Sequence, residues 1–302
     1  MKNKTCWQDT EGHLIQAHGG CILERDGTYY WYGENKDTET RATSLVGHRV
    51  DFSGFSCYSS TNLLDWKNEG VVLAAGETGS PIGPECVGER PSVLYHARSG
   101  SYVMWFHHDD EYYQKASVGL AVAASPAGPF VYKGSMRPNG RESRDFTLYV
   151  DQDETAYMIS SSDANSTLLI SRLDEEYTGF TGEYTTACED QFREAPVVLF
   201  EDGRYYMFSS GCTGWAPNVM LYAESNKMMG NWRLIDNPCE GPDARMTYYG
   251  QSACAVKFQD DWYLMLDHWH PQDLRTSGYS LLKIQFSAGR PLLPFTETVS
   301  IG

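Results

Sequence analysis

A chain of 302 residues with a formal net charge of −16 lacks the basic balance that nucleic acid or an anionic membrane surface attracts, and it suits a neutral ligand. Hydrophobic residues make up 41% and charged residues 21%, as in a soluble globular protein with a sizeable core. No segment approaches the roughly 20 consecutive apolar residues of a membrane span, and the amino-terminal segment lacks the apolar region of a signal peptide. The eight cysteines are scattered without a C-x-x-C pair, so we expect a reducing, cytoplasmic location, or secretion if a leader has been removed.

Short aromatic strands that follow polar turns predict an all-β fold. The sequence holds 20 Tyr, 12 Phe, 8 Trp and 28 Gly and has no long stretch of helical periodicity. The same turn and strand recur five times along the chain, as RDGTYYWYGE (25–34), RSGSYVMWFH (98–107), DQDETAYMIS (151–160), EDGRYYMFSS (201–210) and QDDWYLMLDH (259–268). A second polar turn that ends in an aromatic residue follows each of the first four, as in STNLLDW (60–66) and SNKMMGNW (225–232).

The spacing of these units predicts a single five-bladed β-propeller domain over residues 1–302. The third turn residues are separated by 73, 54, 49 and 58 residues, and periods near 50 built from short strands are typical of propeller blades. Strands such as YYWY are apolar at consecutive positions, so both faces need cover, which neighbouring blades would supply. A β-sandwich would explain the aromatic strands but not the double repeat.

Each predicted inner strand begins with a polar residue. Counting back 9 to 11 positions from the third turn residues identifies, from blade one to blade five, His18, Glu89, Asp145, Glu194 and Gln251. Because the inner strands of a propeller line the channel and begin at the same end, we expect these side chains at one mouth. Carboxylates that share a pocket raise one another's pKa, which keeps a carboxylic acid protonated near neutral pH and lets it act as a general acid. Each residue alone could instead cap a turn, and His18 could be a structural residue of the channel.

These segments resemble glycoside hydrolase family 43 over about residues 12–285. The resemblance implies a five-bladed propeller and hydrolysis with inversion. SRDFTLYVDQDETAYMI matches the strand of the residue that modulates and orients the acid, Asp145, and REAPVVLFEDGRYYMF matches the strand of the general acid, Glu194. Blade one departs from the family pattern, because most members carry an aspartate as general base where this chain reads IQAHGGCIL.

The departure in blade one is itself similar to one branch of the family. QAHGG, GTYYWYGE, GERPSVLY, CTGWAPN and YYGQSACAV resemble the exo-β-1,3-galactanases, in which a blade-five glutamine has been proposed to replace the base and a blade-two glutamate lies in the pocket. Those positions are Gln251 and Glu89. Gln251 could position the attacking water or act as its imidic acid tautomer, Glu89 is the carboxylate alternative, and His18 could be the base on chemistry alone.

Sugar binding needs an apolar face with polar groups at its edge. Trp215 in CTGWAPN is the candidate for stacking, although it could instead lie in a blade interface, and Asn218 lies beside it in the sequence. The further substrate-binding candidates are Glu34, Tyr113, Asn165 and His18. The segment 35–54 is longer than a hairpin needs and is expected to overhang the site.

No cofactor or metal is predicted. The resemblance leaves a channel calcium or sodium ion possible near a histidine, and LDHWHP offers His268 and His270, but no oxygen-rich loop with calcium-binding spacing is present in the sequence.

The sequence thus favours an exo-acting glycosidase on terminal β-galactose of β-1,3-galactan-type oligosaccharides or polysaccharides. A β-xylosidase or α-L-arabinofuranosidase of the same family is the alternative substrate assignment. A non-catalytic carbohydrate-binding propeller is the alternative function, suggested by the absent blade-one aspartate.

Overall fold

Polar turns and aromatic or β-branched runs fold into mostly antiparallel sheets in the computed structural model, which describes residues 1–43 and 47–301. Blade one contains β1 (His18–Arg25), β2 (Thr28–Glu34), the inserted hairpin β3 (Arg41–Thr43) and β4 (Gly47–Arg49), β5 (Gly54–Ser60) and β6 (Lys67–Ala74). Blade two contains β7 (Val87–His96), β8 (Ser101–Asp109), β9 (Ser117–Ala123) and β10 (Val131–Met136). Blade three contains β11 (Phe146–Val150), β12 (Ala156–Ser162), β13 (Thr167–Leu173) and β14 (Phe180–Ala187).

The carboxy-terminal part of the chain supplies the remaining blades. Blade four contains β15 (Arg193–Glu201), β16 (Arg204–Gly211), β17 (Leu221–Ser225) and β18 (Arg233–Asp236). β19 (Cys239–Glu240) pairs with the hairpin of β23 (Gln285–Ser287) and β24 (Arg290–Pro294), and blade five contains β20 (Gln251–Phe258), β21 (Asp261–His268) and β22 (Gly278–Lys283). Short 3-10 helices span Pro138–Gly140, Ala244–Tyr249 and Leu274–Thr276. In the part of the chain described, no helix could cross a bilayer.

The predicted five-bladed propeller is confirmed, and both turn repeats have a structural counterpart. The five turns of the first repeat are the hairpins that join the first and second strands of each blade. The turns of the second repeat join the third and fourth strands of blades one to four. In the Asp-Gly hairpins, Gly27 and Gly203 have φ values of +78° and +77°, the left-handed conformation that two-residue hairpin turns require.

The consecutive apolar residues of each second strand bury into opposite blade interfaces. Trp31 packs between blades five and one, whereas its neighbour Tyr32 packs between blades one and two. Met207 and Phe208 divide in the same way between the interfaces on either side of blade four. Both faces of these strands are therefore covered by neighbouring blades, as their apolar pattern predicts.

The amino terminus closes the ring by completing blade five. Backbone N–H groups of Lys4 and Tyr279 donate to the carbonyls of Tyr279 and Thr5, both at 2.9 Å, so the start of the chain pairs with the outer edge of β22. Asn3 Oδ1 accepts the N–H of Leu281 at 2.9 Å. Blade five thus combines the two ends of the sequence, a closure that the repeat pattern did not predict.

All eight cysteines are free thiols. Four of them are buried, and burial raises the pKa of the Cys86 and Cys239 thiols to about 12. They serve as small core residues, in keeping with their positions in apolar runs.

Candidate active site

Irregularities at the start of the inner strands turn polar side chains toward the channel. The pairing of β7 with β8 shifts register after Glu89, and that of β15 with β16 shifts after Glu194. Arg90 and Ala195, the next residues, have φ values of +52° and +50°, and each precedes a proline. Such bulges bend a strand and re-aim a side chain, so a buried strand can begin with a residue that faces a pocket.

Blade one has a similar bulge, with glycine as the residue of positive φ. β1 shifts register after His18, and Gly19 has a φ of +61°. A Cβ atom on Gly19 would lie 2.5 Å from Glu34 Oε1, so only glycine fits there without displacing that carboxylate.

A pocket of about 580 Å³ opens at the mouth of the channel. Eight predicted site residues line it, namely Glu34, Glu89, Tyr113, Asp145, Asn165, Glu194, Trp215 and Gln251. Its other lining residues are Arg90, His107, Arg144, Cys212, Thr213, Gly214 and Trp269. Residues from all five blades therefore meet in one cavity, although His18 and Asn218 lie outside its wall.

Glu194 has the electrostatics of a general acid. Burial and the negative charge of Asp145 raise the pKa of its carboxyl to about 8, against the opposing effects of Arg90, Cys212 and Gln251. At neutral pH the carboxyl therefore carries a proton that it can donate to a leaving oxygen.

Asp145 stands immediately before β11 and forms a salt bridge to Arg90. Its Oδ2 atom lies 3.0 Å from Arg90 Nη2, and both side chains are largely buried. The ion pair fixes the orientation of the carboxylate whose charge acts on Glu194.

Gln251, the first residue of β20, contacts Glu194 directly. Its Nε2 donates to Glu194 Oε1 and to Ser210 Oγ, both at 3.1 Å. Its Oε1 accepts from Arg90 Nη2 at 2.8 Å and from Trp269 Nε1 at 3.0 Å.

Glu89 is the ionised counterpart of Glu194 in this pocket. Burial opposes ionisation, but the hydrogen bond and charge of His107, together with Lys36 and the hydroxyl of Tyr113, lower the pKa of Glu89 to about 2. His107 Nδ1 lies 3.1 Å from Glu89 Oε2, and Tyr113 donates its hydroxyl to Glu89 Oε1 at 2.8 Å.

His107 is a buried imidazolium between two carboxylates. Its Nε2 lies 3.1 Å from Asp109 Oδ2, and the bonds to Asp109 and Glu89 overcome burial and raise the pKa of His107 to about 9. Glu89, His107 and Asp145 each offer one ligand atom within 4.8 Å of the others. These residues do not fit a calcium or sodium site, because both His107 nitrogens face carboxylates at 3.1 Å and Asp145 is paired with Arg90.

His18 has the surroundings of a structural residue, which is one of the two roles that the sequence allowed for it. It is fully buried, with Nδ1 at 3.1 Å from Asp267 Oδ1 and Nε2 at 3.1 Å from the Tyr279 hydroxyl. Its ring stacks on Tyr279 at 4.7 Å, and burial lowers the pKa of His18. In this arrangement His18 joins blade one to blade five behind the pocket wall.

Asn218 holds the loop that presents Trp215. Its Oδ1 accepts the N–H of Gly211, and its Nδ2 donates to the Gly211 carbonyl and to Thr213 Oγ1, all at 2.7 Å. The Trp215 ring is half-buried and meets the Trp269 ring edge-on at 5.3 Å. Two tryptophans from blades four and five thus form an aromatic corner of the pocket.

Asn165 and Glu34 both line the pocket. Among residues 1–43 and 47–301, Asn165 Oδ1 is buried without a hydrogen-bond partner. Glu34 pairs with the buried Lys36 at 2.5 Å and accepts the N–H of Arg90 at 3.1 Å.

The segment 35–54, which was expected to overhang the site, packs beside the pocket and contributes none of its lining residues among those described. Lys36, Arg49 and Phe52 line a small cavity of about 30 Å³ that shares Glu34 and Glu89 with the main pocket. Residues 44–46 of this segment lie outside the described residues.

The sequence reasoning missed Arg90, His107 and Trp269. Arg90 directly follows Glu89 in GERPS, and His107 ends the apolar run of β8 as the first residue of HHD. Trp269 stands between the two histidines that were considered as ligands. A charged residue after a bulge and a polar end to a buried strand are the signals that could have identified the first two.

Comparison with known proteins shows to which family the chain belongs. The profile of the glycosyl hydrolases family 43 matches residues 21–282. The β-D-galactofuranosidase xynD of Aspergillus niger is 24% identical over 241 residues, which are 72% of this chain and 67% of that protein.

Solved structures resemble the whole chain. A family 43 β-1,3-galactosidase solved with galactodeoxynojirimycin is 34% identical, with a TM-score of 0.93 and full coverage of both chains. An exo-β-1,3-galactanase of Phanerochaete chrysosporium solved with β-1,3-galactotriose is 33% identical, with a TM-score of 0.90 over 100% of this chain and 68% of that one. The corresponding enzyme of Clostridium thermocellum is 32% identical, with a TM-score of 0.87 over 98% and 65%. The chain belongs to glycosyl hydrolase family 43, whose members are inverting glycosidases.

Proposed function

We propose that this glycosidase releases terminal β-1,3-linked galactose from galactan-type glycans. The observation that carries the proposal is a largely buried Glu194 whose pKa is raised by burial and by Asp145, in the pocket of a chain whose whole-chain relatives are named as β-1,3-galactosidases and exo-β-1,3-galactanases.

In the proposed reaction Glu194 protonates the glycosidic oxygen while water attacks the anomeric carbon from the opposite face. Departure of the protonated oxygen breaks the C–O bond and leaves Glu194 as a carboxylate. As the new C–O bond forms, the water gives its proton to a base, for which Glu89 is the ionised carboxylate in the pocket, and Glu194 regains a proton from solvent before the next turnover. Asp145, held by Arg90, keeps Glu194 protonated between turnovers through its negative charge.

The aromatic corner of Trp215 and Trp269 supports binding of a sugar. Aromatic faces cover the apolar face of a pyranose, and the carboxylates that line the same pocket accept its hydroxyl groups. The pocket therefore offers galactose both aromatic and polar contacts.

A substrate panel tests the proposal. Aryl β-galactopyranoside, β-galactofuranoside, β-xyloside and α-L-arabinofuranoside are compared with β-1,3-galactan, and we expect galactose release from the galactan and from the aryl β-galactopyranoside. Proton NMR of the first-formed sugar should show the α-anomer, as inversion requires. Faster turnover of the xyloside or arabinofuranoside would assign the enzyme to those specificities.

The Glu194→Gln variant distinguishes the enzyme from a binding protein. If galactan oligosaccharides bind both proteins equally and the wild type releases no sugar from any panel member, the chain is a carbohydrate-binding propeller and the proposed reaction is wrong.

A further inference from the structure

The orientation of the Gln251 amide is determined by its four partners. Arg90 and the Trp269 indole are donors only, so the amide oxygen must face them, at 2.8 and 3.0 Å. The amide nitrogen must then face Glu194 Oε1 and Ser210 Oγ, each at 3.1 Å. A flipped amide would set its N–H groups against two other donors.

This orientation is unsuited to a general base. The two groups of an inverting pair stand roughly 6.5–9.5 Å apart so that the sugar carbon and a water fit between them. Gln251 Nε2 instead touches the general acid of the proposed reaction at 3.1 Å. The imidic acid tautomer would add a proton to Oε1, the atom that already faces the N–H groups of Arg90 and Trp269.

Arg90 connects the partners of Glu194 across three blades. Its guanidinium is buried, with 5% of the residue exposed, and donates through Nη1 to the carbonyl of Ser252 at 2.8 Å. Its Nη2 contacts both Gln251 Oε1 at 2.8 Å and Asp145 Oδ2 at 3.0 Å. The bulge at Arg90 aims this side chain from blade two toward blades three and five.

We propose that Arg90 and Gln251 are positioning residues for the general acid: Arg90 holds the Gln251 amide with its N–H toward Glu194, so that Gln251 serves the acid and not the attacking water. The inference rests on the proposed role of Glu194 and adds the residues that set its geometry. With this role Gln251 is no longer a candidate for the base. Glu89, or a water molecule held by other groups, then accepts the proton of the attacking water.

The Gln251→Glu variant separates a positioning role from a basic one. One carboxylate oxygen would keep the contacts to Arg90 and Trp269, and the other would replace the N–H that faces Glu194. Two carboxyl groups at this distance share a proton, so the alkaline limb of the kcat/KM pH profile should move up by about one unit or more. The kcat at the optimum should fall roughly tenfold, because a weaker acid protonates the leaving oxygen more slowly.

A basic role predicts the opposite result. A carboxylate is a stronger base than an amide, so the same variant would keep or increase kcat, although the added carboxylate would still move the alkaline limb. That result would overturn the proposal.

Substitution of Arg90 tests the link to Gln251. Arg90→Lys keeps the positive charge but cannot contact Gln251, Asp145 and Ser252 together. We expect kcat to fall roughly tenfold with KM changed by less than about threefold, and the alkaline limb to shift. Arg172→Lys, at an exposed ion pair on β13, is the matched control and should leave the profile unchanged. An unshifted limb in Arg90→Lys, with a lower melting temperature as the sole effect, would reduce Arg90 to a structural residue.

A readout without substrate keeps this inference distinct from the proposed function. Side-chain carboxyl carbons are labelled with ¹³C in glutamate, and Glu194→Gln identifies the Glu194 signal. We expect the NMR titration of Glu194 to shift in Gln251→Glu and Arg90→Lys. A smaller shift is expected in Trp269→Phe, which keeps an aromatic ring but loses the indole N–H that donates to Gln251. Identical titration curves in the wild type and all three variants would contradict the proposal even if the enzyme hydrolyses galactan.

Discussion

Glu89 and Glu194 occupy equivalent positions at the starts of β7 and β15, each followed by a bulge and a proline, yet they hold opposite charge states. Glu89 faces the His107 imidazolium and the Tyr113 hydroxyl, and its pKa falls to about 2. Glu194 is buried beside Asp145, and its pKa rises to about 8. The repeat supplies the same carboxyl group twice, and the neighbours contributed by other strands and blades decide which one carries a proton.

The largest expected effect comes from removing the protonated member of the pair. Glu194→Gln should lower kcat on a β-1,3-galactan oligosaccharide by about 10²–10⁴-fold, because general acid catalysis contributes that much to proton transfer. The loss should be smaller for an aryl galactoside with an acidic leaving group, which departs without full protonation. Glu175→Gln, at an exposed glutamate, is the control. Equal losses on both substrates would contradict the assignment of Glu194 as the acid.

The next largest effect is expected from removing the negative charge of Asp145, which helps to raise the pKa of Glu194 above that of Glu89. Asp145→Asn removes the negative charge that raises the pKa of Glu194, so that pKa should fall. The alkaline limb of the pH profile should move to lower pH, and kcat at pH 7 should drop about tenfold or more. A limb that stays in place would show that burial alone keeps Glu194 protonated.

The ionised state of Glu89 and its contact with His107 can be tested by measuring how the free energy of unfolding depends on pH. The pKa of Glu89 falls from 4.5 to about 2 on folding, so its contribution is present above pH 4.5 and is lost as pH falls toward 2. The pKa of His107 rises from 6.5 to about 9, so its contribution is present below pH 6.5 and is lost as pH rises toward 9. His107→Asn should therefore cost most between pH 4.5 and 6.5, by about 3 kcal/mol of unfolding free energy.

Chemical denaturation of wild type and His107→Asn from pH 3 to 10 measures this difference. A difference that is independent of pH would mean that His107 stabilises the fold by packing and not as an imidazolium. His48→Asn, at a residue on the β3–β4 hairpin, provides the matched substitution away from the buried carboxylates.

The smallest effect is expected at the thiol beside Glu194. Cys212 hydrogen-bonds Glu194 and lowers its pKa, so Cys212→Ala should raise the alkaline limb by a few tenths of a unit. The kcat should stay within about threefold of the wild type. Cys188→Ala, outside the pocket, should leave the limb unchanged, and a downward shift in Cys212→Ala would contradict the direction of the thiol's effect.

The fold could be predicted because the sequence signals for it lie within single hairpins. Turn residues such as Gly27 and Gly203, and the consecutive apolar pairs of Trp31 with Tyr32 and Met207 with Phe208, report backbone conformation and two-sided burial within one hairpin. The ring closure by Lys4 and Thr5 was not predictable, because that pairing joins residues more than 270 positions apart.

The site was predictable where the repeat itself marked a position. Glu89, Asp145, Glu194 and Gln251 stand about 9 to 11 residues before the turns of their hairpins, and the structure brings all four into one pocket. Arg90 was missed because its partners are Gln251 and Asp145, in two other blades, and nothing adjacent in the sequence indicates them. For His18 the position alone did not decide its surroundings, which Asp267 and Tyr279 provide.

The sequence by itself determined the number of blades and the polar residue that begins each inner strand, because both follow from turns and periodicity within short segments. Only the tertiary structure decided which glutamate holds a proton and which way the Gln251 amide points. Those properties depend on burial and on charges that reach the pocket from distant parts of the chain: Asp145 beside Glu194, His107 beside Glu89, and Arg90 beside Gln251.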